Sequence, residues 1–137
     1  MASAASRSHS HTVLVVEDDT AIRDLLADVL QDEGYVVESV EDGAEALQRL
    51  DTPAPPTPRY CVVVLDNRLP TVSGLDVLHQ LQQRDATPPV IWVSAHAEQF
   101  AEAIDAGAAV AVTKPFDIDS LAGAVRDLVV AHCPPPH

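Results

Sequence analysis

The chain has 137 residues, 21 of them acidic and 8 basic, giving a formal net charge of -13. That length holds one domain of roughly 100 to 200 residues and leaves no room for a second output domain, while an apolar content of 47% sets it apart from a disordered acidic tail. The acid excess speaks against nucleic acid and against an anionic membrane surface, because both demand clustered Lys and Arg.

Residues 1–11, rich in Ala, Ser and His, lack the apolar stretch of a signal peptide and read as a frayed tail, with the domain over 12–131 and a second, Pro-rich tail over 132–137. With no apolar run of membrane-spanning length, the expectation is a soluble, cytoplasmic protein. The first element, Val13–Val16 (VLVV), is a continuous apolar run of the kind that forms a parallel strand covered on both faces. Ile22, Leu25, Leu26, Val29 and Leu30 then follow helical spacing, with Gly34 as a stop signal. Tyr35–Val40 (YVVESV) has the polar content of an edge strand, and a short helix is expected around 43–50. The stretch from Asp51 to Arg59 (DTPAPPTPR) reads as a stiff connector, with a polyproline ligand as the other reading.

Cys61–Leu65 (CVVVL) is the third strand, and Cys61 within it reads as a small buried hydrophobe. Two cysteines, Cys61 and Cys133, are too few for the disulfide framework of a small secreted domain. A helix around 74–84 leads to the strand Val90–Val93 (VIWV), where Trp92 reads as a core residue. A helix around 97–106, a strand over Ala109–Val112 (AVAV) and a helix carrying Ile118, Leu121, Ala122, Val125, Leu128 and Val129 complete the chain. Five β-α units in alternation imply right-handed crossovers and an open parallel sheet with helices on both faces. In such sheets ligands bind beyond the carboxyl ends of the strands.

Those ends carry the polar residues. The first strand runs into Glu17, Asp18 and Asp19, the third into Asp66, Asn67 and Arg68, the fourth into Ser94, and the fifth into Thr113 and Lys114, the chain's one lysine beside seven arginines. A parallel sheet brings them to one rim. Crowded carboxylates repel, by on the order of 4 kcal/mol for a unit-charge pair at about 4 Å and an effective dielectric near 20. A hard divalent ion such as Mg²⁺ relieves that repulsion, and an aspartate nucleophile beside a metal, a lysine and a hydroxyl suits formation of an acyl phosphate. Each residue also has a plainer reading. Asp19 and Thr20 suit a helix cap, Asp66 a turn ahead of Pro70, Ser94 a cap for the following helix, and Lys114 a solvated loop. The histidines at 9, 11, 132 and 137 read as tail residues.

The segments VLVVEDDTAIRDLL, VVVLDNRLPTVSGLDVL, VIWVSAHAEQFAEAIDAGA and VTKPFDIDSLAGAV resemble, in order and spacing, the receiver domain of two-component response regulators, here of the stand-alone, CheY-like kind. The resemblance implies a flavodoxin-like α/β fold with strand order 2-1-3-4-5. It further implies Asp66 as phospho-acceptor, with Asp18, Glu17 (largely through water), Asp66 and the main-chain carbonyl of Arg68 around Mg²⁺. Ser94 matches the switch hydroxyl and Lys114 the phosphoryl-pairing cation, with Pro115 following a cis peptide. Arg68 and His96 fall where receivers vary the lifetime of the acyl phosphate. Many receivers carry Tyr or Phe three residues before the lysine, where this chain has Ala111. The implied partners are a histidine kinase or histidine phosphotransfer protein and a downstream protein target, with no nucleic acid and no membrane.

Two other readings compete. One is a phosphorylation-independent binding scaffold on the same fold, suggested by Ala111. The other is a small aspartate-nucleophile phosphohydrolase, which calls for Asp-x-Asp after the first strand where this chain has Glu17, Asp18 and Asp19.

Overall fold

A computed structural model of the chain describes residues 11–51, 60–84 and 87–132. Five parallel strands form one sheet in the order β2-β1-β3-β4-β5. They are β1 (Thr12–Val16), β2 (Val36–Val40), β3 (Val62–Asp66), β4 (Val90–Ser94) and β5 (Val110–Thr113). Five α-helices alternate with them: α1 (Thr20–Asp32), α2 (Gly43–Asp51), α3 (Gly74–Gln82), α4 (Phe100–Asp105) and α5 (Ile118–His132). The flavodoxin-like order expected from the sequence is the order observed. The greater part of the tails over 1–11 and 132–137, the connector over 52–59, His9 and His137 lie outside the described residues.

Strand alternation divides the core. Val13, Val15, Val62, Val64, Ile91 and Val93 face Leu26 and Leu30 of α1 and Leu121, Val125, Leu128 and Val129 of α5. Leu14, Val16, Val63, Leu65, Val90 and Trp92 face the opposite way, onto Ala46 of α2, Val77, Leu78 and Leu81 of α3, and Ala103 of α4. The continuous apolar runs are thus strands buried on both faces. Edge strand β2 holds a polar link: Glu38 Oε1 accepts from Tyr60 Oη at 2.7 Å and from Arg49 Nη1 at 2.9 Å.

Local chemistry sets the boundaries. Asp19 Oδ1 accepts from Ile22 N at 3.1 Å and caps α1, the role that the plainer reading assigned to it. The helix stops where Gly34 turns to φ 100°, in the left-handed region that favours glycine. The segment expected as one helix over 97–106 is split into a 3₁₀ turn, Ala97–Gln99, and the short α4. Ser94 Oγ ties down His96 N at 3.0 Å, and Gln99 N closes on His96 O at 3.0 Å, so the chain turns tightly before it becomes helical. Cys61, expected as a small buried hydrophobe, is half-buried and disulfide-bonded, with Sγ 3.3 Å from His11 Nδ1. Cys133 lies outside the described residues.

The loop from β3 to α3 is held under strain. Thr71 has φ 65°, unfavourable for a β-branched residue, and its Oγ1 donates to Pro70 O at 2.6 Å. A Cβ on Gly74 would stand 2.8 Å from Asn67 Cα and closer still to Asp66 O, so only glycine lets α3 start this near the strand end. We expect Thr71→Gly to stabilise the fold by about 0.5–1 kcal/mol, as relief of left-handed strain exceeds glycine's entropy cost. Gly74→Ala should destabilise it by about 2–3 kcal/mol through forced backbone shifts. Urea unfolding of both variants measures this.

Candidate functional site

β1 and β3 lie side by side, with Val16 opposite Leu65, so Glu17 leaves β1 beside Asp66 at the last position of β3. Ladder bonds run on past the strand ends and fix the backbone there. Glu17 N donates to Val40 O at 3.1 Å, Asn67 N to Val93 O at 3.0 Å, and Lys114 N to Ser94 O at 2.9 Å. Glu17, Asn67 and Lys114 are thereby fixed directly after the strand ends. The Lys114–Pro115 peptide is cis.

Lys114 is the centre of the arrangement. Its Nζ lies 3.1 Å from Glu17 Oε1 and 3.1 Å from Asp66 Oδ1. Glu17, Asp66 and Ser94 are buried, while Asp18 is exposed at the edge. Carboxylate oxygens of Glu17, Asp18 and Asp66 fall within 4.8 Å of one another. Glu17 also accepts from Asp19 N at 3.1 Å, so it is bonded directly inside the cluster. An open cleft of about 480 Å³ adjoins it, lined by Asp18, Asn67, Arg68, Leu69, Pro70 and Ser73.

Burial raises the Asp66 carboxyl above the ordinary range, and Asp18 pushes the same way against the opposing pull of Lys114. Burial raises Glu17 as well, with the Asp66 charge adding to it; the Asp19 N–H and Lys114 oppose. Burial alone would lower Lys114, but its bonds and charge pairing with Asp66 and Glu17 outweigh that and raise it. Among these four side chains, three acidic groups share one ammonium. The cluster is short of positive charge.

Ser94 is bonded through its hydroxyl within the segment that follows β4. Its Oγ lies 3.4 Å from Gln99 Oε1, which also accepts from Asn67 Nδ2 at 2.9 Å. His96 is exposed, with Nδ1 3.4 Å from Glu98 Oε2. Ala111 sits on β5 directly opposite Trp92 of β4, both against the same apolar cluster. The indole, 1% exposed, is thus the large ring at this level of the sheet, and its Nε1 has no acceptor among the described residues. Sequence reasoning missed Gln99 and the side-chain role of Asn67. Neither carries a charge or a periodic signal, and only the turn over 97–99 brings them together.

A model of the response regulator receiver domain matches residues 13–126. The chain belongs to the response-regulator receiver family. The receiver is 37% identical over 134 residues to the alkaline phosphatase synthesis transcriptional regulatory protein SphR of Synechococcus elongatus, covering 93% of this chain and 50% of that protein. It is 33% identical to the transcriptional regulatory protein TrcR of Mycobacterium tuberculosis, covering 85% of this chain and 44% of that one. Among solved structures it is similar to the receiver domain of the Francisella response regulator 1452, with TM-score 0.81 and 31% identity over 89% of this chain and 98% of that one. It is also similar to the response regulator TrrA of Thermotoga maritima in complex with Mg²⁺ and BeF, with TM-score 0.75 and 32% identity over 86% and 98%. The chain spans about half the length of the curated relatives it matches, so the expectations of stand-alone action and of no nucleic-acid output draw no support from them. Among the described residues no helix is long and apolar enough to cross a membrane.

The raised carboxyls give a stability prediction with a definite sign. A raised acid holds its proton more tightly in the folded receiver than in the unfolded chain, so its contribution is full below the ordinary carboxylate range and is lost as pH rises through the raised value. In metal-free buffer Asp66→Asn should therefore be more stable than wild type at neutral pH. The gap should close as the pH falls below about 4, the ordinary carboxylate range. Urea unfolding of both proteins across that range checks it.

Proposed function

We propose that the chain is the phospho-acceptor receiver of a two-component or phosphorelay system, with Asp66 taking a phosphoryl group from a phosphohistidine on a histidine kinase or histidine phosphotransfer protein. The observation that carries this reading is the lone lysine bridging Glu17 and Asp66 at the strand ends, beside an open cleft. An Asp66 carboxylate oxygen attacks phosphorus, the N–P bond of the donor breaks, and its electron pair returns to the imidazole nitrogen. Lys114 then exchanges its Asp66 contact for a phosphoryl oxygen, and the Ser94 hydroxyl donates to another. A compact ammonium suits one such oxygen better than a planar guanidinium fork does. The chain acts on its own carboxylate, gaining one phosphoryl group from the donor. It loses that group to water or to the histidine of an onward relay partner as the acyl C–O–P linkage breaks at phosphorus, and so is a signalling receiver and not a turnover enzyme.

The donor set fits Mg²⁺: hard carboxylate oxygens of Glu17, Asp18 and Asp66 within 4.8 Å, one of them exposed toward an open cleft with room for water. Those residues and the Arg68 main-chain carbonyl would hold the ion. When bound it would neutralise charge on the transferred group. The bound Mg²⁺ and BeF of the similar TrrA support this assignment.

A phosphohistidine donor would call for a cytoplasmic receiver that signals by partner binding or onward relay. The disulfide at Cys61 runs against a reducing compartment, where this cysteine would be held as a thiol. Ala111 favours a second reading, a phosphorylation-independent scaffold, under which partner capture would be indifferent to Asp66→Asn and to Mg²⁺.

Mg²⁺ with a small phosphodonor should add one phosphoryl group to the wild type by intact mass and change the fluorescence of Trp92, two residues before Ser94 on β4. Asp66→Asn should show neither effect. Millimolar Mg²⁺ should also raise the wild-type melting temperature by binding the folded state. A wild type that gains no mass, or an Asp66→Asn variant that gains it undiminished, contradicts the reading.

A further inference from the structure

Gln99 closes the 3₁₀ turn that leads into α4, and its Oε1 collects two donors from two different strand ends. Asn67 Nδ2, one residue past Asp66, approaches it at 2.9 Å, and Ser94 Oγ approaches at 3.4 Å. Both partners are polar groups at the site, and as arranged here both donate to the one Gln99 Oε1. Ser94 Oγ also accepts from His96 N at 3.0 Å. A hydroxyl has one proton to donate. While that proton points at Gln99 it is withheld from any group on Asp66.

The far side of Gln99 leads to the core. The next residue, Phe100, is the first of α4 and, like Ala111, packs partly buried against the cluster that contains Trp92. Ala111 has no ring to follow the movement of Ser94, and the Trp92 indole opposite it is fully enclosed. The Gln99 amide is a side-chain connection from Ser94 to the start of α4, beside the backbone one through His96.

We propose that Gln99 is a positioning residue, holding the Ser94 hydroxyl away from the phosphoryl position in the unmodified receiver, and that release of this bond carries the change at Asp66 to α4. This rests on the reading of Asp66 as phospho-acceptor. The sequence of events is short. A phosphoryl group on Asp66 offers charged oxygens, which accept a hydrogen bond more strongly than a neutral amide carbonyl does. Ser94 turns to it, Gln99 keeps only its bond from Asn67, and the Ala97–Phe100 backbone is freed to shift. Gln99 therefore opposes activation, and its removal should favour the modified state.

The test is titration of the full chain with beryllofluoride in saturating Mg²⁺, read by Trp92 fluorescence, for wild type, Gln99→Met, Gln99→Glu, Ser94→Ala and the Gln99→Met/Ser94→Ala double variant. Methionine keeps the length of the side chain and removes the acceptor. Gln99→Met should bind beryllofluoride about two- to tenfold tighter than wild type, the effect of deleting one competing hydrogen bond. Gln99→Glu, which retains an acceptor, should bind no tighter. In the Ser94→Ala background Gln99→Met should bring no gain, an epistasis that a general loosening of the fold would not produce. Independently of any Gln99 variant, the side-chain amide NMR signals of Gln99 should move on beryllofluoride binding in wild type and stay in place in Ser94→Ala. A wild-type response with an unchanged affinity in Gln99→Met, a gain that persists without Ser94, or unmoved amide signals would overturn this inference alone. No wild-type response to beryllofluoride at all would overturn the phospho-acceptor reading and this inference with it.

Discussion

The structure turns on one ammonium shared by two buried carboxylates. Lys114 Nζ stands 3.1 Å from both Glu17 and Asp66, while Asp18 adds a third acidic group at the rim. Burial makes the Glu17 and Asp66 charges expensive, and the cation falls short of compensating them. A site with that imbalance is built to receive positive charge. Under the proposed reading Asp66 becomes an acyl phosphate, a mixed anhydride whose charge lies further out, where Lys114 can meet it.

The rest of the fold exists to hold that geometry. Strands buried on both faces give termini that cannot drift, and ladder bonds from Glu17, Asn67 and Lys114 extend the sheet into the site itself. Gly74 brings α3 up against the end of β3, and the strained Thr71 lies in the loop between them. At β4 the rigid part gives way to a tighter device, the turn over Ala97–Gln99, where Ser94, His96 and Asn67 all make their bonds.

Much of this was legible in the sequence because it follows from patterns that local physics enforces. VLVV, CVVVL and VIWV announce doubly covered strands, and a parallel sheet then has to bring Glu17, Asp18, Asp66, Ser94 and Lys114 to one rim. Boundaries were less legible. Asp66 belongs to β3 and Ser94 to β4, one residue further than the apolar runs extend, because ladder bonds continue where hydrophobicity stops. Gln99 was not legible at all: a neutral side chain in a segment of helical character gives no sign that a turn will aim it at two strand ends. Nor was the disulfide at Cys61, since the position of one cysteine in an apolar run says nothing of the distance to another. The pairing of Trp92 with Ala111 needed the β4–β5 register, which a strand one residue out of place would have reversed.

The most direct measurement is a crystal structure of the chain with Mg²⁺ and beryllofluoride. The account predicts beryllium on an Asp66 carboxylate oxygen, Lys114 Nζ moved from Asp66 to a fluorine, and the metal held by Glu17, Asp18 and Asp66. Beryllium bound elsewhere, or Lys114 still bridging Glu17 and Asp66 with no metal beside them, would contradict it.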